Sequence, residues 1–371
     1  MAEDSNITPG RHRARGAATG GRRRKGPSTR RRAAHYVVWT LAAVVVLGGA
    51  GLGYLYFKLN GNLTGVDVNA ALGPDRPKNV DNGSMDILVL GSDSRAGKNA
   101  KYGKDEGTSR SDTAMIVHVY KGHKKASVVS IPRDTLVKRP SCAKGGQKSP
   151  AVREAMFNSA YEVGGPACTV KTIESMTGIR MDHFLEVDFS GFKQLINDLG
   201  GVNITTTSPI HDPKSHLDLE AGPHTLDGEQ ALGLVRTRHG VGDGSDLGRI
   251  KLQQAFVKAL LEQIKHVDLF GNPQKLYNLA DTSTKALTTD SDLASVNKLK
   301  GFAESLKGIG PGNMKMTTLP VRYDPENPAR VLPMERKAHL MWTALRHDQT
   351  IPASATKGSA GDATDAGKVV K

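Results

Sequence analysis

Several short stretches set arginine beside aspartate, or beside a second arginine, at the edges of apolar runs. TSRSDTAMIVHVY, residues 108–120, places Arg110 two positions before Asp112, with both ahead of an apolar run. GSDSR puts Asp93 and Arg95 just past an earlier run, SIPRD puts Arg133 and Asp134 past a third, and RTRH adds Arg236 and Arg238 farther on. Arginine suits phosphate because its planar fork donates two hydrogen bonds and never loses its charge. Carboxylates near phosphate repel it unless a hard cation intervenes, and Mg2+ prefers carboxylate and phosphate oxygens. The mixture therefore suggests Mg2+-pyrophosphate, with Asp93 and Asp112 as the loop carboxylates that share the ion. A single pair reads more simply as an ion pair on a solvated rim. The recurrence at element ends argues for a site.

Other chemistries lack their residues. Nucleic acid calls for interleaved cations and aromatic platforms, whereas aromatics make up 5% of the chain and none interleaves these motifs. His211 and His216 in HDPKSH have no further ligand set nearby and read as a solvated loop. There is no G-x-S-x-G elbow and no H-E-x-x-H. The two cysteines, Cys142 and Cys168, have no CxxC partner and no evident activating histidine. They read as a structural disulfide.

The elements that must position these groups alternate. MDILVLG, TAMIVHVY and ASVVSIP are short β-branched runs that end at turn signals, the pattern of buried strands. AVREAMFNSAYEVGG and ACTVKTIESMTG have helical spacing and end in glycine. HFLEVDF, SGFKQLINDLGG and VNITTT predict strand, helix and strand, and residues 208–224 read as a loop. DGEQALGLVRTRH and DLGRIKLQQAFVKALLEQIKHV predict helices, and MKMTTLPV a strand. An α/β layered fold follows.

Formal net charge is +14 over 371 residues, of which +8 falls before Tyr36. Residues 1–35 read as a basic, disordered arm, because Gly, Arg and Ser dominate and large apolar side chains are few. Tyr36–Phe57 is uncharged and long enough to cross a hydrocarbon layer of about 30 Å. A cleaved signal would have a shorter apolar run and an A-x-A site. Cations before the span predict a cytoplasmic N-terminus and an exported body, a single-pass type II protein of the cell membrane. Gly49 and Gly53 have the small-xxx-small spacing of helices that pair in lipid, which raises a homodimer. Residues 58–83 read as a linker, 84–347 as the extracytoplasmic catalytic domain, and 348–371 as a disordered tail.

ILVLGSDSR, SRSDTAMIVHV, VVSIPRDTLV, DGEQALGLVRTRH and DLGRIKLQQ occur in this order between about Asp86 and Val267. Together they resemble the LytR-CpsA-Psr family. That resemblance implies a central mixed β-sheet flanked by helices behind one transmembrane helix. It also implies a phosphotransferase of the Gram-positive envelope that moves a glycopolymer from an undecaprenyl (polyprenyl) pyrophosphate carrier onto peptidoglycan and releases the lipid phosphate. By motif, Asp93 and Asp112 would hold Mg2+. Arg110, Arg133, Arg236, Arg238 and Arg249, with Arg95 as a further member, would bind pyrophosphate oxygens, and Gln253 would assist at the head group. Asp134 or a metal-bound aspartate would serve as base, with Asp112, Arg133, Arg236 and Arg238 closest to the chemistry. AFVKALL and FSGFKQLI would line an apolar tunnel for the prenyl chain. Two features depart from the family: MFN at residues 156–158 replaces a usual Lys-Ile-Asn, and the loop between Asp93 and Asp112 is long. The expected partners are the lipid-linked glycopolymer, peptidoglycan and membrane lipid, with no nucleic acid. The competing functions are a pyrophosphatase that uses water as acceptor with the same residues, and a non-catalytic envelope or transcription regulator acting through the basic arm.

Overall fold

The computed structural model describes residues 29–74, 76–93, 110–144, 146–239, 241, 244–266, 271–363 and 370. Arg95 and residues 1–28 of the basic arm lie outside these, as do the side chains of Asp93 and Arg110. Two compact units divide the chain, Met1–Leu55 and Tyr56–Lys371.

The first unit holds most of helix α1 (Thr29–Asn62), whose 34 residues include the whole uncharged run. Among the described residues no helix is long and apolar enough to cross a membrane. Side chains 36–39 and 41–45 of the run are outside the described residues.

Seven strands form the main sheet of the second unit. They are β1 (Thr64–Val66), β2 (Met85–Asp93), β3 (Arg110–Val119), β4 (Ala126–Ile131), β5 (His183–Asp188), β6 (Leu287–Asp290) and β7 (Met314–Thr318). Their order is β1-β6-β5-β2-β3-β4-β7. β3 runs antiparallel to β2 and β4, while β5 is parallel to β2 and β7 to β4. The sheet is therefore mixed, as expected. β4 is buried at every residue, so its sequence has only small or apolar side chains and no regular polar alternation.

Helices cover both faces. Leu88, Leu90, Ile116, Val129, Ile131 and Phe184 share a core with Tyr161 and Ile173 of α3 (Ser159–Thr177) and with Met341, Trp342 and Leu345 of α9 (Glu335–Arg346). Opposite, α6 (Asp246–His266) ties to the sheet through Gln254 Nε2, which donates to Ser130 Oγ at 3.1 Å. α8 (Val296–Leu306) lies against β5, with the Phe302 and His183 rings 5.6 Å apart. A second core joins Ile196 of α4 (Phe189–Leu199), Leu234 of α5 (Gly228–Arg236) and Phe256 of α6 to the strand pair Val202–Thr206 and Gly222–Leu226.

Four expectations need correction. The supposed linker 58–83 is part of the domain: β1 pairs with β6, Asp67 caps α2 (Val68–Leu72), and Val68 and Leu72 lie in the core. Its polar composition concealed anchors such as Arg76, whose Nε donates to the buried Glu174 carboxylate at 3.0 and 3.1 Å. Residues 152–156 are a strand paired with Leu136–Arg139, because tertiary pairing overrides the weak helical preference of VREAM. α3 then runs through both remaining helical segments with a break at Gly165, at φ 61°, just before Pro166. Residues 208–224 contain two further strands, Ile210–Asp212 and Leu217–Leu219, with alternate residues buried. The expected tail after His347 is packed as far as Gly361: Ile351 and Ala355 enter the core, and a Cβ at Gly361 would sit 3.0 Å from Thr318 Cβ. Small residues fit there because space is scarce. The two cysteines are disulfide-bonded, with Cα atoms 5.6 Å apart, which fastens the hairpin at Cys142 to α3.

Asp348 marks how the last segment is held. At φ 54° it occupies the left-handed region, and its carboxylate lies 3.2 Å from Nε2 of fully buried His118, whose Nδ1 is 2.8 Å from Asp86. Burial alone would depress the His118 pKa, but the Asp86 and Asp348 carboxylates outweigh it and hold it above the ordinary imidazole value. A raised folded pKa means this stabilisation is fully present below about 6.5 and is lost as pH rises through the folded value. Urea midpoints should therefore fall as pH is raised from about 6.5, and His118→Gln should flatten that slope. A wild-type profile as flat as the variant's would refute the assignment.

Candidate active site

β2 and β4 end, and β3 begins, at one end of the sheet, so residues distant in sequence meet there. At this end Gly91 pairs with Thr113 but Ser92 pairs with Ser111, so Asp112 is the extra residue of a β-bulge. Bulges re-aim a side chain that regular pairing would direct along the pleat. Arg133 and Asp134 follow β4 directly. α6 starts at the same place, and its first-turn amides add positive potential.

Asp246, in that first turn, gathers the cluster. Its Oδ1 accepts from Arg238 Nη2 at 3.0 Å, pairs with Arg249, and lies 3.9 Å from Arg133 Nε. Its Oδ2 accepts from the Arg133 backbone N–H at 3.2 Å. Arg133 also hydrogen-bonds the Asp112 carboxylate, and Arg249 Nη2 donates to the Asp112 carbonyl at 2.9 Å. Asp134 lies 3.6 Å from Arg133 Nε and 3.7 Å from Arg330 Nη1, both beyond hydrogen-bond length.

At Arg133 burial works against the charge, but Asp112, Asp246 and Asp134 outweigh it and raise the pKa. Burial works against the Asp112 charge, yet Arg249 and Arg133 outweigh it and hold its carboxyl below the usual range. Burial, then the like charge of Arg249 and Arg133, depresses Arg238 despite Asp246. Arg133 Nε and Arg249 Nε are buried and have no hydrogen-bond partner among the described residues. Buried guanidinium donors left in this state call for oxygens from outside.

Of the sequence-predicted residues, Asp112, Arg133, Asp134, Arg238 and Arg249 meet. Arg236, in the last turn of α5, lies over the Phe189 ring at 5.3 Å. Gln253 spends its amide on Thr113 Oγ1 at 3.0 Å and Val235 O at 2.9 Å, so here it joins α6 to β3 and α5. Asp93 and Arg110 are register partners at the ends of β2 and β3; their side chains, and Arg95, lie outside the described residues. His211 is exposed and paired with Asp218 at 3.3 Å. Asp246 and Asp212 were not among the predicted site residues. The D-x-x-R spacing of Asp246 and Arg249 carried a signal for the first. Asp212 is buried and accepts the Arg238 and His239 amides at 2.9 and 3.1 Å, a long-range link with no local signature.

A carboxylate such as that of Asp112, on the bulge, is the kind of donor that suits Mg2+. Asp112, held ionised, fits. Among the described residues no three His, Cys, Asp or Glu side chains form a metal cluster.

The profile described as the LytR_cpsA_psr family matches residues 55–347. The chain belongs to the LytR-CpsA-Psr family. Among its relatives, the Cell wall biosynthesis protein LcpA of Corynebacterium glutamicum is 32% identical over 309 residues, 75% of this chain and 58% of that protein. The polyisoprenyl-teichoic acid--peptidoglycan teichoic acid transferase TagT of Bacillus subtilis is 32% identical over 280 residues, 72% of this chain and 81% of that one. A solved structure of TagT bound to LIIa-WTA matches with a TM-score of 0.55 at 26% identity, covering 76% of this chain and 98% of that one. The chain spans little more than half the length of LcpA.

In this LytR-CpsA-Psr domain, removing Asp246 leaves three arginines without their shared carboxylate. Asp246→Ala should cost about 3 kcal/mol of stability, and millimolar inorganic pyrophosphate should restore part of it in thermal melts. An unchanged melting temperature would show that Asp246 does not hold the cluster.

Proposed function

We propose that this LytR-CpsA-Psr protein is a membrane-anchored phosphotransferase. It would move a glycopolymer from a polyprenyl-pyrophosphate carrier onto a peptidoglycan hydroxyl and release polyprenyl phosphate. The observation that carries the reading is a pair of buried donors with no hydrogen-bond partner among the described residues, Arg133 Nε and Arg249 Nε, inside a cluster of three guanidinium groups. A pyrophosphate offers several acceptor oxygens. The relative TagT, a polyisoprenyl-teichoic acid--peptidoglycan teichoic acid transferase, supports the same class of reaction.

In the proposed step the acceptor oxygen bonds to the glycan-side phosphorus. The bond from that phosphorus to the bridging oxygen breaks, and the leaving polyprenyl phosphate keeps the electron pair. Arg133, Arg238 and Arg249 neutralise the charge that moves onto phosphate oxygens, and such electrostatic stabilisation supplies most of the catalysis in phosphoryl transfer. The hydroxyl proton passes to Asp134. Asp112 is a poor base because Arg249 and Arg133 lower its affinity for a proton, and Asp246 is engaged by three arginines, whereas the ionic contacts of Asp134 are 3.6 and 3.7 Å long. Asp93 and Asp112 would hold Mg2+, which when bound neutralises phosphate charge.

The prenyl chain has a suitable place. Val89, Val117, Leu185 and Val187 on the sheet, and Val257 and Leu261 on α6, are apolar yet only half-buried, so a hydrocarbon bound there would remove apolar surface from water. The uncharged run Tyr36–Phe57 supports a type II anchor with the domain outside the cytoplasm. Nothing in the fold or the comparisons supports a homodimer through that helix.

Full-length protein in detergent, given labelled polyprenyl-pyrophosphoryl oligosaccharide and peptidoglycan, should label the peptidoglycan with Mg2+ present and not with EDTA. Asp112→Ala and Arg249→Ala should each lose at least about a hundredfold. Release of free sugar phosphate with no label on added acceptor would contradict transfer and identify a pyrophosphatase.

A further inference from the structure

The start of α3 is bound to the arginine cluster. Its N-cap, Asn158, donates its backbone N–H to the Arg133 carbonyl at 3.1 Å, and Phe157 donates to the Thr135 carbonyl at 2.9 Å. An N-cap asparagine ordinarily turns its side-chain oxygen back onto the first amides of its own helix. Asn158 makes no such bond. The residue is 8% exposed, and its Oδ1 is buried with no hydrogen-bond partner among the described residues. A buried amide oxygen left unpaired destabilises a fold, so its persistence needs a reason.

Among the described residues the other side-chain atoms in this condition are Arg133 Nε and Arg249 Nε. Two cationic donors lack an acceptor and one neutral acceptor lacks a donor, and Arg133 and Asn158 are joined through the backbone. A bare phosphate would satisfy the arginines and leave Asn158 as it is. A phosphate ligand that meets a hydroxyl donor supplies what both kinds of atom lack.

We infer that Asn158 Oδ1 accepts a hydrogen bond from a substrate hydroxyl adjacent to the phosphate held by Arg133 and Arg249. The inference rests on the pyrophosphate reading of the cluster. An amide oxygen takes up no proton near neutral pH, so Asn158 orients the hydroxyl and proton transfer stays with the carboxylates. The hydroxyl belongs either to the sugar of the donor or to the acceptor glycan.

The test uses full-length wild type, Asn158→Ala and the near-isosteric Asn158→Leu, each checked for a normal melting transition. Inorganic pyrophosphate and a hexosyl pyrophosphate are titrated by calorimetry, and the KM for the glycan acceptor is measured beside donor hydrolysis. Both variants should keep wild-type affinity for inorganic pyrophosphate. If the hydroxyl is the donor's, affinity for hexosyl pyrophosphate falls about tenfold. If it is the acceptor's, that affinity holds, the acceptor KM rises about tenfold, and hydrolysis is unchanged. Unchanged hexosyl affinity together with unchanged acceptor KM overturns the inference. Equal weakening of both titrations also overturns it, because Asn158 would then only support Arg133. Should wild type bind pyrophosphate yet transfer nothing, the transferase reading fails and the hexosyl titration alone decides. If wild type binds neither anion, the pyrophosphate reading fails and the inference falls with it.

Discussion

One carboxylate holding three guanidinium groups together is the constraint on which the site depends. At an effective dielectric of about 20, two unit charges 4 Å apart interact by about 4 kcal/mol, so Arg133, Arg238 and Arg249 would separate if left alone. Asp246 contacts all three and fixes the Arg133 backbone as well. Asp112 adds a second anchor for Arg133. Compensation is incomplete, since Arg238 remains depressed by its burial and its neighbours. The cluster is thus assembled tightly enough to persist, while two of its buried donors lack a hydrogen-bond acceptor among the described residues.

The rest of the fold serves that arrangement. The mixed sheet brings the ends of β2 and β4 and the start of β3 to one end of its strands. A bulge turns Asp112 out of the regular pairing, and buried Asp212 on the Ile210–Asp212 strand accepts the Arg238 amide. Gln253 secures α6 to β3 and α5, which keeps Asp246 and Arg249 in register with Asp112. At the far end of β3, His118 and Asp348 hold the segment after α9 against the sheet. These supports are long-range, so a defect far from the arginines can still loosen them.

Much of this was legible without coordinates. The β-branched runs at residues 85–91, 113–120 and 126–132 announced strands, because a buried strand needs no polar face. The arginine and aspartate positions at their ends announced the site. What escaped had a physical reason in each case. VREAM has the composition of a helix and forms a strand because a partner strand is present. Residues 58–83 and 348–363 are too polar or too small to show a period, yet a few residues, Val68, Leu72, Ile351 and Ala355, reach the core. The bulge at Asp112 changes register without changing residue type, and the role of Asp246 comes from three partners, two of them not local to it. The diverted N-cap of Asn158 is invisible in sequence, since asparagine at that position ordinarily signals a cap.

The most direct measurement of the central claim is a structure of the full-length protein with a polyprenyl pyrophosphate bound. Phosphate oxygens should lie within about 2.7–3.2 Å of Arg133 Nε and Arg249 Nε, with Asp246 still contacting all three arginines. A pyrophosphate bound elsewhere, with those two nitrogens still unpartnered, would contradict the claim.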